Sequence, residues 1–200
     1  RCSDVLPPGD DRLLAVLGMD VDAERDALWV ASAAAPFMRD VASAKPGETR
    51  LSRIDLATGR VLASYAPANA GLLNDLDLLP DGRIAVTDSI SGTVYLLDPS
   101  SDSPTLQPVL PAASFEGPNG IMALADGQLV VTDFHALWLV DPSAAPSMRK
   151  RRITTPGGRY LGGMDGLARD GEHIVAIQNL VGRGRVWRFR NNPASAHVED

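Results

Sequence analysis

Two hundred residues, 44% hydrophobic and 22% charged, describe a globular chain long enough to bury a core and too short to require two domains. The net charge is −6 and the 19 Lys and Arg residues are scattered, which excludes the concentrated positive face that a phosphate backbone requires, so no nucleic-acid partner is expected. No apolar run approaches the roughly 20 residues that cross a bilayer and no charged-then-apolar leader opens the sequence, so neither a membrane partner nor an export signal is expected.

One plan recurs along the chain: an apolar strand, a polar turn and a second apolar strand, in Gly18–Ser32, Leu73–Ser89, Pro118–Phe134 and Met164–Asn179. A third strand follows each pair, at Leu51–Asp55, Val94–Asp98, Leu137–Asp141 and Val186–Arg190. A weaker fourth follows at Val61–Tyr65, Leu106–Leu110, Lys150–Thr154 and, in the last repeat, within Pro193–Asp200. Runs rich in Val, Ile, Leu and Trp favour strands over helices, and Pro80-Asp81-Gly82, Asp126-Gly127 and Asp170-Gly171 supply the reversals between them. Pro99 and Pro142 fall where the third strand should stop, because proline cannot donate within a ladder.

In chain order, residues 1–17 read as the end of an earlier blade, and blade-like repeats occupy about 18–65, 72–110, 117–154 and 162–200 within one domain spanning 1–200. The Ala-rich insertion between Ala33 and Thr49, broken by Pro36 and Pro46, reads as a loop with at most one helical turn. Four-stranded repeats of 40 to 50 residues are the unit of all-β radial propellers. The Gly-His and Trp-Asp pairs of WD40 repeats are absent, and no amphipathic helix separates strands as a doubly wound fold demands. Four blades rarely close a ring, so the expectation is part of a larger propeller.

Aligned on the second strand, Asn74, Asn119 and Asp165 fall at matching positions, 45 and 46 residues apart. The segments around them, Leu73-Asn-Asp-Leu with Pro80-Asp-Gly-Arg-Ile-Ala-Val-Thr-Asp, Gly117-Pro-Asn-Gly-Ile and Met164-Asp-Gly-Leu, resemble successive blade openings of the SMP-30/gluconolactonase/luciferin-regenerating-enzyme-like propellers, relatives of the paraoxonases. The resemblance covers about three blades, from Gly71 to Asn192. It implies a six-bladed ring with calcium or another divalent cation in the central channel, hydrolysing a small lactone or ester. By the same resemblance Asn119 and Asp165 are metal ligands, and Asn74 is a further ligand or a substrate contact. Asp165 and Asn74 are then the catalytic candidates, Asp165 doubling as a base. The first-blade glutamate of that family, usually in a Glu-Gly pair, has no counterpart: the pair occurs only as Glu116-Gly117.

The chemistry of the residues agrees with this. Amide and carboxylate oxygens are hard donors suited to calcium or magnesium, and a bound cation can activate water where no nucleophilic serine exists. No G-x-S-x-G elbow occurs. Each candidate also has an ordinary structural reading. Asn74 and Asn119 suit turns or caps, and Asp165-Gly166 is common turn chemistry. Asp75 reads as an exposed loop carboxylate, with general base as the alternative. Asp88 and Asp133 recur after Val-Thr and read as structural, bonding the next turn. His135 reads as a loop histidine or a proton shuttle.

The run Arg149–Arg152 reads as a solvated strand edge, Gly157-Gly158 and Gly162-Gly163 as close-approach positions between blades, and Trp29, Trp138 and Trp187 as inter-blade packing. The single cysteine, Cys2, and the unpaired His135, His173 and His197 argue against disulfide and zinc chemistry. A composition rich in Ala, Arg and Asp leans toward a bacterial soluble protein, cytoplasmic or periplasmic/secreted. The competing functional reading is a non-catalytic binding or scaffold propeller, because fold alone does not assign function.

Overall fold

Short aliphatic runs punctuated by Gly, Asp and Pro leave the chain only the option of antiparallel strands reversed by tight turns. The computed structural model describes Leu6, residues 13–35, Lys45, 47–67, Asn69, 71–155 and 157–192, with 191–192 and 197–199 as backbone. Among these residues there is no α-helix, only a 3-10 turn at Pro146–Met148. Sixteen strands form four sheets, each four strands in sequence order. The first holds β1 (Ala15–Asp22), β2 (Ala27–Ala33), β3 (Thr49–Asp55) and β4 (Val61–Tyr65); the second holds β5 (Leu73–Leu78), β6 (Ile84–Asp88), β7 (Thr93–Leu97) and β8 (Gln107–Pro108). The third holds β9 (Ile121–Ala123), β10 (Leu129–Thr132), β11 (Leu137–Val140) and β12 (Lys150–Arg152); the fourth holds β13 (Met164–Asp170), β14 (His173–Gln178), β15 (Arg185–Asn192) and β16 (His197–Glu199). Every pairing is antiparallel.

The chain is therefore all-β and folds as a β-propeller, each sheet a blade. The first strands adjoin, β1 against β5, β5 against β9 and β9 against β13. Gly82 and Gly127 take φ of 82° and 83° in the turns joining first strand to second, a backbone that glycine adopts without steric cost.

Three hydrophobic clusters lie between neighbouring blades. Trp29, Leu51, Leu73, Ile84 and Leu97 join the first to the second; Leu79, Val94, Ile121 and Leu129, with Trp138 against them, join the second to the third. Val130, Leu139, Met164, Ile174 and Phe189, with Trp187 alongside, join the third to the fourth. Each cluster thus carries one of the three tryptophans expected to pack between blades.

Several expectations need correction. Residues 15–17 belong to β1 itself instead of an earlier blade, because Ala15 and Val16 pair with Ala33 and Ser32. Cys2 and most of the 33–49 insertion lie outside the described residues. In the basic run only Arg151 and Arg152 are solvated. Lys150 Nζ lies 3.7 Å from the centre of the Trp138 ring and 4.2 Å from that of Phe115, and donates to the Ser114 carbonyl. Burial pulls its pKa down. Arg149 donates to Val109 O at 2.7 Å, so both side chains fasten the connection between the second and third blades. Of the glycines, Gly162 and Gly163 are close-approach positions, a Cβ on either meeting atoms at 2.4 Å. Gly157 and Gly158 face open space and serve through φ of 77° and 66°.

Candidate functional site

The start of each inner strand is irregular in the same way. In β5 the pairing jumps from Leu73↔Asp88 to Leu76↔Val86, so Asn74 and Asp75 together oppose Thr87. In β13 it jumps from Met164↔Gln178 to Leu167↔Ala176, and Asp165 and Gly166 oppose Ile177. Before β9, Asn119 N donates to Thr132 O and Thr132 N to Gly120 O, repeating the arrangement. β1 shifts register between Val16 and Gly18. A bulge bends its strand and re-aims the side chain it carries, so Asn74, Asn119 and Asp165 occupy one rung on three successive blades.

These rungs are close together. A Cβ on Gly18 would meet Asn74 O at 2.6 Å, and one on Gly120 would meet Asp165 O at 2.4 Å. Glycine at 18 and 120 is what lets adjacent inner strands come this near. Blade 2 also grips the loop before β9: Ser89 Oγ donates to Pro118 O at 2.6 Å and Thr87 Oγ1 to Asn119 O at 2.7 Å. Asn74 Nδ2 donates to Ser89 Oγ at 2.9 Å, and Asn179 Nδ2 to Asp165 Oδ2 at 2.7 Å. Among the described residues no hydrogen bond joins the three candidate side chains to one another, and the Asn119 amide has no side-chain partner.

The structural assignment of Asp88 and Asp133 agrees with their contacts. Asp88 accepts from the backbone N–H groups of Gly71, Leu72, Ile90 and Ser91 at 3.0–3.1 Å. Asp133 accepts from His135 and Ala136 at 2.9 and 2.8 Å, and from Glu116 at 3.4 Å. His135 is exposed on its loop, Nε2 2.6 Å from Glu116 Oε2.

Asp75 is not an exposed loop carboxylate. It lies in β5, partly buried, with Oδ2 accepting from Ile121 N at 3.1 Å. Two residues on, Asp77 accepts from Ala123 N at 2.7 Å. Burial pushes the Asp75 pKa up to about 6 against the pull of the Ile121 N–H, and the charges of Asp165 and Asp20 add to the rise. A cleft of about 570 Å³ runs along this part of the inner strands, with Asp20, Asp75 and Asp77 on one side and Met122, Leu167 and Arg169 among its other lining residues. Asp77 and Asp20 are not among the residues that the sequence singles out. The available signal is the alternation Asp75-Leu-Asp77-Leu, which places both acids on one face of a strand.

In kind, the candidate oxygens suit a hard divalent cation. Asn74 and Asp165 each have a side-chain oxygen outside the bonds described above, and Asn119 has its whole amide. Three oxygens with one negative charge fall short of the six to eight that calcium takes, so backbone, water, substrate or other blades would supply the remainder. No group of three or more His, Cys, Asp or Glu suited to a metal occurs among the described residues; the candidate set contains only one such residue.

No known protein family and no curated protein matches the chain by sequence. Solved structures do match in fold. An auxiliary nutrient binding protein from Bacteroides ovatus is 14% identical with a TM-score of 0.66, over 93% of this chain and 41% of that one. Luciferin-regenerating enzyme is 16% identical with a TM-score of 0.60, over 85% and 59%. Virginiamycin B lyase from Staphylococcus aureus is 14% identical with a TM-score of 0.55, over 91% and 57%. The chain spans about half the length of the structures it resembles. At these identities the likeness shows the propeller fold alone. Among the described residues no helix is long and apolar enough to cross a membrane.

Proposed function

We propose that the chain is an arc of a six-bladed, metal-dependent hydrolase of lactones or esters, of the SMP-30/gluconolactonase kind, with calcium or another divalent cation held in the channel. The observation that carries this is the shared rung, where three successive bulges set Asn74, Asn119 and Asp165 on adjoining inner strands. Asn119 and Asp165 would hold the cation and Asn74 would be a further ligand or touch the substrate. When bound, the cation polarises the substrate carbonyl and lowers the pKa of water. Asn179 fixes the Asp165 carboxylate through Oδ2, leaving Oδ1 as the oxygen it would offer the cation; the carboxylate would double as the base that takes a proton from the attacking water. Ser89 holds the Asn74 amide in place. The likeness in fold to luciferin-regenerating enzyme, an enzyme by name, supports a catalytic reading.

A binding propeller is the second reading. At the rung where the other blades carry Asn or Asp, β1 carries Leu17, which offers no side-chain oxygen, and a nutrient-binding protein shares the fold. Calorimetric titration of calcium into the full-length protein and its Asn119→Ala and Asp165→Ala variants separates the two. Binding in the parent that both variants lose, with turnover of a lactone or aryl ester, supports the hydrolase; a parent that binds no calcium and turns over neither substrate refutes it.

A further inference from the structure

The second, third and fourth blades share a contact just outside the rung. Gly71, Gly117 and Gly163 recur 46 residues apart, shortly before Asn74, Asn119 and Asp165. Each lies against an apolar side chain from the loop between the second and third strands of its own blade. A Cβ on Gly71 would meet the Ile90 side chain at 2.6 Å, one on Gly117 the Phe134 ring at 2.4 Å, and one on Gly163 the Val181 Cγ2 at 2.4 Å. The glycines make room for these side chains over the segment that enters the inner strand. Even so, Ile90 is 70% exposed, Phe134 43% and Val181 41%, with the adjoining Leu180 at 43%.

The loops are joined along the arc and to the rung. Ser89, which holds the Asn74 amide, precedes Ile90 and also donates to Pro118 O, next to Gly117. Tyr160, in the loop entering the fourth blade, donates through its hydroxyl to Phe134 O at 2.5 Å, and Gly163 N donates to Asp133 O at 2.9 Å. Asn179, which holds the Asp165 carboxylate, precedes Leu180. Phe134 stands where the other two blades carry Ser89 and Asn179, directly after the matching positions Asp88, Asp133 and Gln178. The Asn119 amide therefore lacks, among the described residues, the kind of polar partner that Asn74 and Asp165 have. The polar pair beside Phe134, His135 and Glu116, is bonded to itself at 2.6 Å.

A large apolar side chain standing alone in solvent is ordinary on a protein surface. Three on equivalent loops, each seated on a glycine and each adjoining a rung residue, form a pattern that marks a binding surface. Small-molecule sites combine a few polar groups with apolar walls, and here the rung supplies the first and the loops the second. We propose that Ile90, Phe134, Leu180 and Val181 form an apolar collar around the rung, which selects a lactone or ester carrying an alkyl or aryl substituent over one carrying hydroxyl groups. The collar rests on the hydrolase reading for the reaction: the rung takes the carbonyl and the collar takes the substituent.

Binding of γ-lactams tests the collar without depending on turnover, since a lactam keeps the ring carbonyl and resists hydrolysis. In calorimetric titrations of the full-length protein with calcium present, γ-lactams with side chains from methyl to hexyl should bind about two- to fourfold more tightly for each added methylene, the upper figure for full burial and the lower for half. Phe134→Ser and Ile90→Ser should each weaken binding of the hexyl lactam about five- to tenfold and flatten the dependence on chain length. The two lie on different blades, so either carries the test if the other does not fold. Met148→Ser removes an apolar side chain that is 63% exposed in the connection between β11 and β12, at the opposite end of the third blade, and should keep the parent's dependence. Absence of lactam binding, binding indifferent to chain length, or collar variants with the parent's dependence would overturn the proposal. Parallel assays with the matching γ-lactones and an aryl ester separate the two readings: affinity for lactams that rises with chain length while nothing is turned over keeps the collar as a binding surface and refutes the hydrolase.

Discussion

Replacing Asp88 with alanine removes the acceptor for four backbone donors at once. Its carboxylate is fully buried, with Oδ1 receiving Leu72, Ile90 and Ser91 N–H and Oδ2 receiving Gly71 N–H. A hydrogen bond to a charged group contributes about 1.5–3 kcal/mol net, and stranded buried donors add a desolvation cost. Water can reach the partly exposed Gly71 and the exposed Ile90, which reduces the sum, so the expected loss for Asp88→Ala is about 4 kcal/mol. Asp88→Asn keeps Oδ1 and its three bonds but turns an NH2 group toward Gly71 N–H, for an expected loss of about 2 kcal/mol. With a urea slope of about 2 kcal/mol/M, the midpoints should fall by about 2 M and about 1 M. An Asp88→Ala midpoint within about 0.3 M of the parent, or an asparagine variant as damaged as the alanine one, would refute the assignment of these four bonds as the anchor of β5.

Gly120→Ala places a methyl 2.4 Å from Asp165 O and must push β9 from β13, so it should destabilise by about 2 kcal/mol in urea unfolding and weaken any calcium binding that calorimetry detects. Trp29 has no exposed surface and packs between the first two blades; Trp29→Ala should cost about 3–5 kcal/mol, lowering the thermal midpoint by several degrees. Lys150→Met retains the packing of the stem but loses the cation over Trp138 and Phe115, for an expected loss of about 1 kcal/mol. Trp138 fluorescence should change in that variant even where the unfolding midpoint moves little.

The strand pairs are legible in the sequence because apolar runs and turn dipeptides repeat at nearly constant spacing, and that regularity also locates Asn74, Asn119 and Asp165 on equivalent positions. The bulges that place them are not legible, since a bulge is a property of register between two strands and leaves no fixed mark in either one. Asp75 misleads for a related reason. Asn-Asp is ordinary turn composition, and its burial depends on Ile121, 46 residues away. Lys150 shows the same limit from the other side: a Lys in a basic run looks solvated until Phe115 and Trp138 are brought beneath it. Asp88 and Asp133 are readable because each bonds two residues that follow within three positions, a local pattern that the repeat displays twice; their bonds back to Gly71, Leu72 and Glu116 are not readable in this way.

The hydrophobic clusters join each blade only to its neighbours, which makes the stability of the arc a sum of nearest-neighbour terms. That modularity extends to chemistry. Each bulge delivers one side chain, and the strand that carries it is held by its own blade's ladder, so exchanging an amide for a carboxylate at one rung leaves the scaffold of the others intact. Duplication of a blade would copy the rung together with its support, and later substitution would retune charge and reach one position at a time. An arc built this way can change the side chain at one rung without redesigning its frame, as the succession Leu17-Gly18, Asn74-Asp75, Asn119-Gly120, Asp165-Gly166 illustrates.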